Sequence, residues 1–310
     1  MQPTISYLTN LTLQLSAGIA GLPEEVRSRH AEFLIAEQRE DGGFAGRKGA
    51  SDLYYTAFAL RSLAMMGEID DRMASRVTGF LESRLADELP GIDFLSLITS
   101  AVIVAMATGR DVFGELGIDG PRAVIDFFEP LRRDDGGYAK TARSGSSSTY
   151  HTFLVVACKQ MVEAPLSGTD RMIELVCSRQ RDDGGFVEIA PMRHSGTNPT
   201  AAAVGLLRLL DALDPATATA AVEFLAHMQT TEGGFRANTQ IPVADLLSTF
   251  TALVALRDLE TAGAIDAPAA LRFAESLEQP DGGFRAGTWD DAVDVEYTFY
   301  GLGTLGLLTA

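Results

Sequence analysis

Gln38-Arg39-Glu40-Asp41-Gly42-Gly43-Phe44, followed by Asp52-Leu53-Tyr54-Tyr55-Thr56-Ala57, is the stretch on which the fold turns. Its acidic-Gly-Gly-aromatic core returns as Asp135-Gly136-Gly137-Tyr138, Asp183-Gly184-Gly185-Phe186, Glu232-Gly233-Gly234-Phe235 and Asp281-Gly282-Gly283-Phe284. From Gly42 through Gly136, Gly184 and Gly233 to Gly282 the intervals are 94, 48, 49 and 49 residues. The double first interval holds a shortened copy at Leu89-Pro90-Gly91 with Asp93. Six units of ~48 residues account for essentially all of residues 1–310, so the chain reads as one repeat-built domain and not as the two that its length alone suggests.

Each unit reads as a helical hairpin. Val26 to Gln38 places Val26, His30, Phe33, Leu34 and Glu37 at three- and four-residue steps, and the Gly-Gly pair then stops the helix by allowing positive φ. A second helix starts at a capping residue, Asp52, Asp93, Ser148, Asp245 or Asp294 in five of the units. Four residues after the cap there is usually a threonine (Thr56, Thr152, Thr200, Thr249, Thr298), and then an apolar stripe such as Leu60, Leu63 and Ala64. No β-rich alternation competes. The expected fold is all-α, twelve helices in six hairpins. The apolar last unit, with no polar terminal cap, favours closure into a ring over an open stack.

Composition bounds the partners. With 25 basic against 42 acidic residues the net charge is −17, which argues against a nucleic-acid footprint or a polybasic membrane patch. Cys158 and Cys177 are too few for a disulfide scaffold. Met1-Gln2-Pro3-Thr4 lacks the flank of a secretory signal, and the most apolar run, Leu97 to Ala107, is about half the ~20 residues of a membrane span. These features predict a cytoplasmic protein without a transmembrane segment.

Gln38-x-x-Asp41-Gly42-Gly43-Phe44-x-Gly46-Arg47 with Asp52-x-x-Tyr55-Thr56, and Gln180, Gln229 and Gln279 heading later copies, resembles the repeat of the protein prenyltransferase β subunits and the class II terpene cyclases. The resemblance covers all six units, and in size the chain is similar to a Rab geranylgeranyltransferase β subunit. It implies an (α/α)6 toroid whose inner helices surround an isoprenoid-binding cavity, an isoprenoid diphosphate as ligand, and a separate helical α subunit as partner.

The family's functional positions map unevenly. Its catalytic zinc, which would activate an acceptor thiol, needs an Asp-x-Cys pair and a His. The fifth and sixth units offer Asp245 with Leu247 and Tyr297 in those places, and a displaced set would use Asp93 and His151 with Leu95 at the Cys position. The diphosphate-binding residues of the family match His194, Arg47, Lys48 and Tyr55, with Tyr297 nearby in register. Cations beside helix N-termini form an anion site wherever they lie in the ring. The cyclases' Asp-x-Asp-Asp acid is partly kept in Asp294-Val295-Glu296, which makes Glu296 a candidate proton donor with Asp294 beside it. Trp289 with Asp290 and Asp291 reads as an exposed acidic loop. Tyr54, Tyr55, Tyr150, Phe153, Phe250, Phe299 and Tyr300 start inner helices and either line a prenyl cavity or pack between layers.

Three readings follow. The first is prenyl transfer from an isoprenoid diphosphate, with zinc as its cofactor. The second is acid-initiated cyclisation through Glu296. The third is a non-catalytic scaffold that binds an isoprenoid or a partner.

Overall fold

The structure, a computed structural model, describes residues 5–309, so Met1 to Thr4 lie outside the described residues. In chain order the helices are α1 (Tyr7–Ala20), α2 (Glu24–Ala36), α3 (Leu53–Met66), α4 (Asp71–Arg84), α5 (Gly91–Thr108), the short α6 (Val112–Glu115) and α7 (Gly120–Phe128). They continue as α8 (Thr149–Met161), α9 (Thr169–Ser178), α10 (Thr197–Leu209), α11 (Pro215–His227), α12 (Leu246–Asp258), α13 (Ala267–Leu277) and α14 (Val295–Thr309). Between α13 and α14 the only strand pair among the described residues, β1 (Phe284–Arg285) and β2 (Val293–Asp294), is antiparallel with Phe284 opposite Asp294. In chain order the six expected units correspond to the helix pairs α2 and α3, α4 and α5, α7 and α8, α9 and α10, α11 and α12, and α13 and α14. Two helices stand outside the repeat: α6, and α1, which carries no charged residue.

The repeat sequence is explained by three local interactions. The first glycine of each full copy has positive φ, as at Gly42 (92°) and Gly233 (97°). The second is set by space: a Cβ on Gly43 would lie 2.7 Å from the Phe80 ring and one on Gly234 2.4 Å from Phe273. The threonine then stitches the turn to the inner helix. Thr56 Oγ1 donates to the cap carbonyl of Asp52 (2.6 Å) and accepts the Phe44 N–H (2.9 Å). Thr152, Thr200, Thr249 and Thr298 repeat this with Tyr138, Phe186, Phe235 and Phe284. Gln38, Gln180 and Gln229 each donate to the first glycine's carbonyl. Gln279 is one residue out of register and bonds Leu277 O instead; the matching position is Glu278.

Asp52, Asp245 and Asp294 cap α3, α12 and α14 through the N–H groups of Tyr55, Ser248 and Tyr297, and Ser148 caps α8 through His151 N. Asp93 departs from the expectation. Pro90 stands at the α5 N-cap without a side-chain bond, and Asp93 is the third residue of the helix.

The chain packs as two compact units. One comprises Met1–Val124, Met161–Glu163 and Leu277–Ala310. Within it α3 packs on α5, and α1 on both α3 and α14. The crossing of α1 and α14 is close because both helices carry glycine: a Cβ on Gly18 would lie 1.8 Å from Gly306 O. The turn of the sixth repeat rests on the first, Gly282 against the backbone of Arg29 in α2, as Gly42 rests on Arg76 of α4. His30 joins the same junction. Its Nδ1 accepts the Gly283 N–H (3.0 Å), its Nε2 faces Glu278 Oε1 (3.1 Å), and its ring stacks on Phe284 at 4.8 Å. α5 is longer than the expected apolar run. At 18 residues it is, among the described residues, the one helix long and apolar enough to cross a membrane, and 44% of it is buried inside the protein.

The other unit comprises Ile125–Gln160 and Ala164–Ser276. Its core gathers Val204, Ala221, Phe224, Leu225, Phe235 and Leu256, with α10 packed along α12. At one point it is polar inside. Lys159 is buried with its Nζ on Glu129 and 3.0 Å from the Tyr138 hydroxyl, which itself donates to Glu129 at 2.9 Å.

Candidate functional site

The start of α14, the start of α3 and the loop after Phe44 meet within the first unit. Asp294 occupies the α14 cap, so its Oδ1 is held by the Tyr297 N–H (2.8 Å) while Oδ2 accepts from Arg47 Nε (2.7 Å). Arg47 Nη2 reaches Asp290 at 2.6 Å, and its guanidinium lies over the Tyr297 ring at 5.6 Å. These hydrogen bonds outweigh burial and raise the guanidinium's proton affinity above its usual range. Asp290 is therefore an ion-pair partner and not a free member of an exposed acidic loop. Its carboxyl falls below the usual range because the Ala292 N–H and Arg47 outweigh its burial. Asp291, by contrast, is fully exposed.

Glu296, half-buried, is the second residue of α14, and its Oε1 accepts from the Tyr54 hydroxyl at 2.7 Å. Burial raises its pKa, with Asp294 adding to the effect; hydrogen bonds from Tyr54 and Tyr300 and the charge of Arg47 oppose it. Burial also raises Tyr55, helped by the charges of Glu296, Asp294 and Asp52. Two carboxyls two residues apart thus differ in partner: Asp294 has a cation, Glu296 a neutral phenol. Aromatic rings extend from this point. Tyr54 meets Phe58 at 4.9 Å, and Phe58 meets Phe299 and Tyr300 at 5.4 Å. Beyond them Arg61 places its guanidinium 5.3 Å from the Phe299 ring centre and 5.9 Å from that of Phe58.

Arg47, Tyr55, Asp294, Glu296 and Tyr297 are thus brought together, while Lys48 is exposed beside them. His194, Asp245 and His151 belong to the other unit. His194 is exposed, its Nε2 3.2 Å from the Gln240 amide. Sequence reading named Tyr54 only as a wall or packing aromatic, and missed Arg61 and the pairing of Asp290. Tyr54 had a signal: it stands two residues after the Asp52 cap, as Glu296 stands two after Asp294.

The residues in the zinc positions do not fit the metal. Asp245 spends its carboxylate on the Ser248 N–H and hydroxyl (2.7 and 2.9 Å), with Leu247 and Tyr297 where the other ligands belong. His151 Nδ1 faces Ser148 Oγ at 3.0 Å, and burial lowers its pKa. Burial raises Asp93, and the charge of Asp52 adds to it. Among the described residues no group of three His, Cys, Asp or Glu gathers in a way that would hold a metal ion.

Comparison with solved structures places the chain among helical toroids. It is similar to Candida albicans protein geranylgeranyltransferase-I complexed with GGPP (TM-score 0.71, 14% identity, 91% of each chain covered). It is similar to the type II terpene cyclase MstE from Scytonema (TM-score 0.60, 16% identity, 96% of this chain and 98% of that one). A glycosidase in complex with glucose shares the fold at TM-score 0.61 and 16% identity over 94% of this chain and 96% of its own. A search of curated proteins gives no match. The model of the prenyltransferase alpha-alpha toroid domain matches residues 2–88, 93–240 and 201–310. With those matches spanning nearly the whole sequence, the chain belongs to the prenyltransferase α/α toroid family.

Proposed function

We propose that this toroid is an acid-initiated isoprenoid cyclase in which Glu296 supplies the proton. The observation that carries the reading is the Glu296 carboxyl, half-buried, held by the neutral Tyr54 hydroxyl at 2.7 Å and continued by the rings of Phe58, Phe299 and Tyr300. A carboxyl whose proton burial holds more tightly than usual, beside aromatic faces, is suited to protonating an alkene and tolerating the cation that results. Glu296 gives a proton to a terminal alkene, the next alkene's π electrons form the new C–C bond, and a carboxylate or water takes a proton from the last cation. The product is an isomer of the substrate, with no redox step and no leaving group.

Prenyl transfer from a diphosphate draws less support from the geometry. Arg47, the cation expected to hold the diphosphate, is engaged by Asp290 and Asp294, and the zinc ligands are replaced.

The test uses geranylgeranyl dihydroxybenzoate, the substrate in a complex of the Scytonema cyclase, and GGPP, the ligand of the Candida enzyme. Products are read by mass spectrometry and NMR. The expected result is a product of unchanged mass with fewer alkene signals, whose rate falls by about 10²-fold or more in Glu296→Gln. The rate should also fall as pH rises through the raised Glu296 pKa, because only the protonated acid acts. Released diphosphate would point to transfer, and tightly held but unchanged isoprenoid to a scaffold; either would overturn the cyclase reading.

A further inference from the structure

Arg61 is the unexpected residue of this wall. It lies seven residues beyond Tyr54 on α3, about 10 Å along the helix axis, and Phe58 stands between the two on the same face. Its guanidinium keeps its charge at any working pH. It is placed over Phe58 and Phe299, two of the rings that continue the wall from Glu296. Arg61 also borders a cavity of about 160 Å³ among α1, α3 and α5, lined mostly by apolar side chains such as Leu8, Val102 and Ile103, with Thr12, Ser16 and Thr99 among them. Among the described residues lining this cavity Arg61 alone is charged. A cavity of comparable size in another protein accepts benzene, so this one has room for roughly one isoprene-sized group.

We infer that Arg61 sets where cyclisation stops, and that the cavity among α1, α3 and α5 receives the uncyclised remainder of the chain. The inference rests on the cyclase reading above. A carbocation formed next to Glu296 is stabilised by Tyr54 and Tyr300. Each further ring closure moves the positive charge along the chain, toward the rings that already carry the Arg61 cation. There the new charge shares its aromatic partners with a fixed one of the same sign and is repelled by it. Loss of a proton then wins over the next C–C bond. One ring forms at the Glu296 end, and a hydrocarbon tail, which asks nothing of Arg61, continues into the mostly apolar cavity. That cavity is walled in part by α1, one of the two helices outside the repeat, so the tail site belongs to this chain and not to the repeat pattern.

The experiment compares product distributions of the wild-type protein, Arg61→Met and Arg61→Lys with geranylgeranyl dihydroxybenzoate and GGPP. The wild type and Arg61→Lys should give mainly a monocyclic isomer. Arg61→Met should raise the ratio of polycyclic to monocyclic product by about tenfold, the value of one ordinary cation–π contact. If Arg61→Met does not fold, Arg61→Gln, neutral and planar, takes its place. Filling the cavity with Ile103→Trp should slow a geranylgeranyl substrate at least several-fold and leave its geranyl counterpart unaffected. Polycyclic product as the main wild-type product, or an unchanged ratio in the neutral variant, overturns the role of Arg61. Equal rates for both chain lengths in Ile103→Trp overturn the tail site. Absence of any isomerised product from the wild type fails the cyclase reading itself, and is told apart by the lack of product of any ring number.

Discussion

His30 offers a test of the junction between the first and sixth repeats. Its ring is fully buried, and its two nitrogens have fixed roles: Nδ1 accepts the Gly283 N–H at 3.0 Å, so the proton sits on Nε2 and points at Glu278. A second proton would set two N–H groups against each other. Burial therefore lowers the imidazole from its ordinary 6.5 to about 4, with Glu278 opposing and Arg29 assisting. The folded state thus binds its proton later than the unfolded chain does. The stabilisation is complete above pH 6.5 and is lost as pH falls toward 4, in total about 3 kcal/mol at ~1.4 kcal/mol for each tenfold difference in proton affinity. At pH 5 about 2 kcal/mol of it should be gone. The comparison is with His30→Gln, whose amide can accept from Gly283 and donate to Glu278 but does not titrate. Urea unfolding followed by far-ultraviolet circular dichroism at pH 7.5, 6 and 5 gives the stability gap between the two proteins, with other titrating groups cancelling. The wild type should lead at pH 7.5, and the gap should close by about 2 kcal/mol at pH 5. A gap independent of pH refutes the buried neutral histidine. A gap that widens in acid would mean that Glu278 outweighs burial and His30 takes up its proton on folding.

Two further predictions concern the repeat. The Lys159–Tyr138 pair replaces the Leu and Phe of other units, so Lys159→Leu and Tyr138→Phe should be coupled: a double-mutant cycle by chemical denaturation should give an interaction of about 1 kcal/mol or more, because removing one buried polar partner costs more than removing both; simple additivity would count against the network. Gly42→Ala should cost far more than Gly49→Ala although their φ angles are similar (92° and 97°), since a Cβ on Gly42 falls 2.1 Å from Arg76 O and one on Gly49 meets nothing within 4 Å. Gly49→Ala should lower stability by about 1–2 kcal/mol, the left-handed strain alone, and equal losses in thermal unfolding would refute the close approach.

The helical hairpins were legible because their causes are local. A positive φ, a missing Cβ and a threonine twelve to fourteen residues after the aromatic all act within one unit, and each therefore recurs with the unit. The site was legible only in part because its contacts join the two ends of the sequence. Arg47 meets Asp294 across 247 residues, and Tyr54 meets Glu296 across 242. Local sequence presents Arg47 as a cation free for a diphosphate; nothing near it announces the two aspartates that take it. His30 was similarly legible as an apolar-face position, but its partner Glu278 stands in the slot that glutamine fills in the first, fourth and fifth units. Asp93 misled for a different reason. Its repeat lacks the Gly-Gly turn, so the helix begins earlier, at Gly91, and the acid slides from the cap into the first turn.

The abundance of acid in this chain makes Glu296 more distinctive, not less. Most of the recurring carboxylates have a structural post. Asp41, Asp135 and Asp183 each accept the second glycine's N–H and a serine hydroxyl, and so hold the Gly-Gly turn. Asp52, Asp245 and Asp294 cap inner helices. The hydrogen bonds these groups accept favour the charged form, but at Asp52 and Asp245 burial outweighs them and raises the carboxyl. Glu296 is neither a turn acid nor a cap. It sits where the helix dipole by itself would favour the anion, yet burial among aromatic rings prevails and the group holds its proton more tightly than an ordinary glutamate. Arg47 completes the division of labour by spending its charge on Asp290 and Asp294, so that the carboxyl two residues further on faces a phenol. Neighbouring carboxyls with such different partners, one paired with a guanidinium and the other facing a phenol, suit an acid catalyst. That difference is made by the meeting of the first and last repeats.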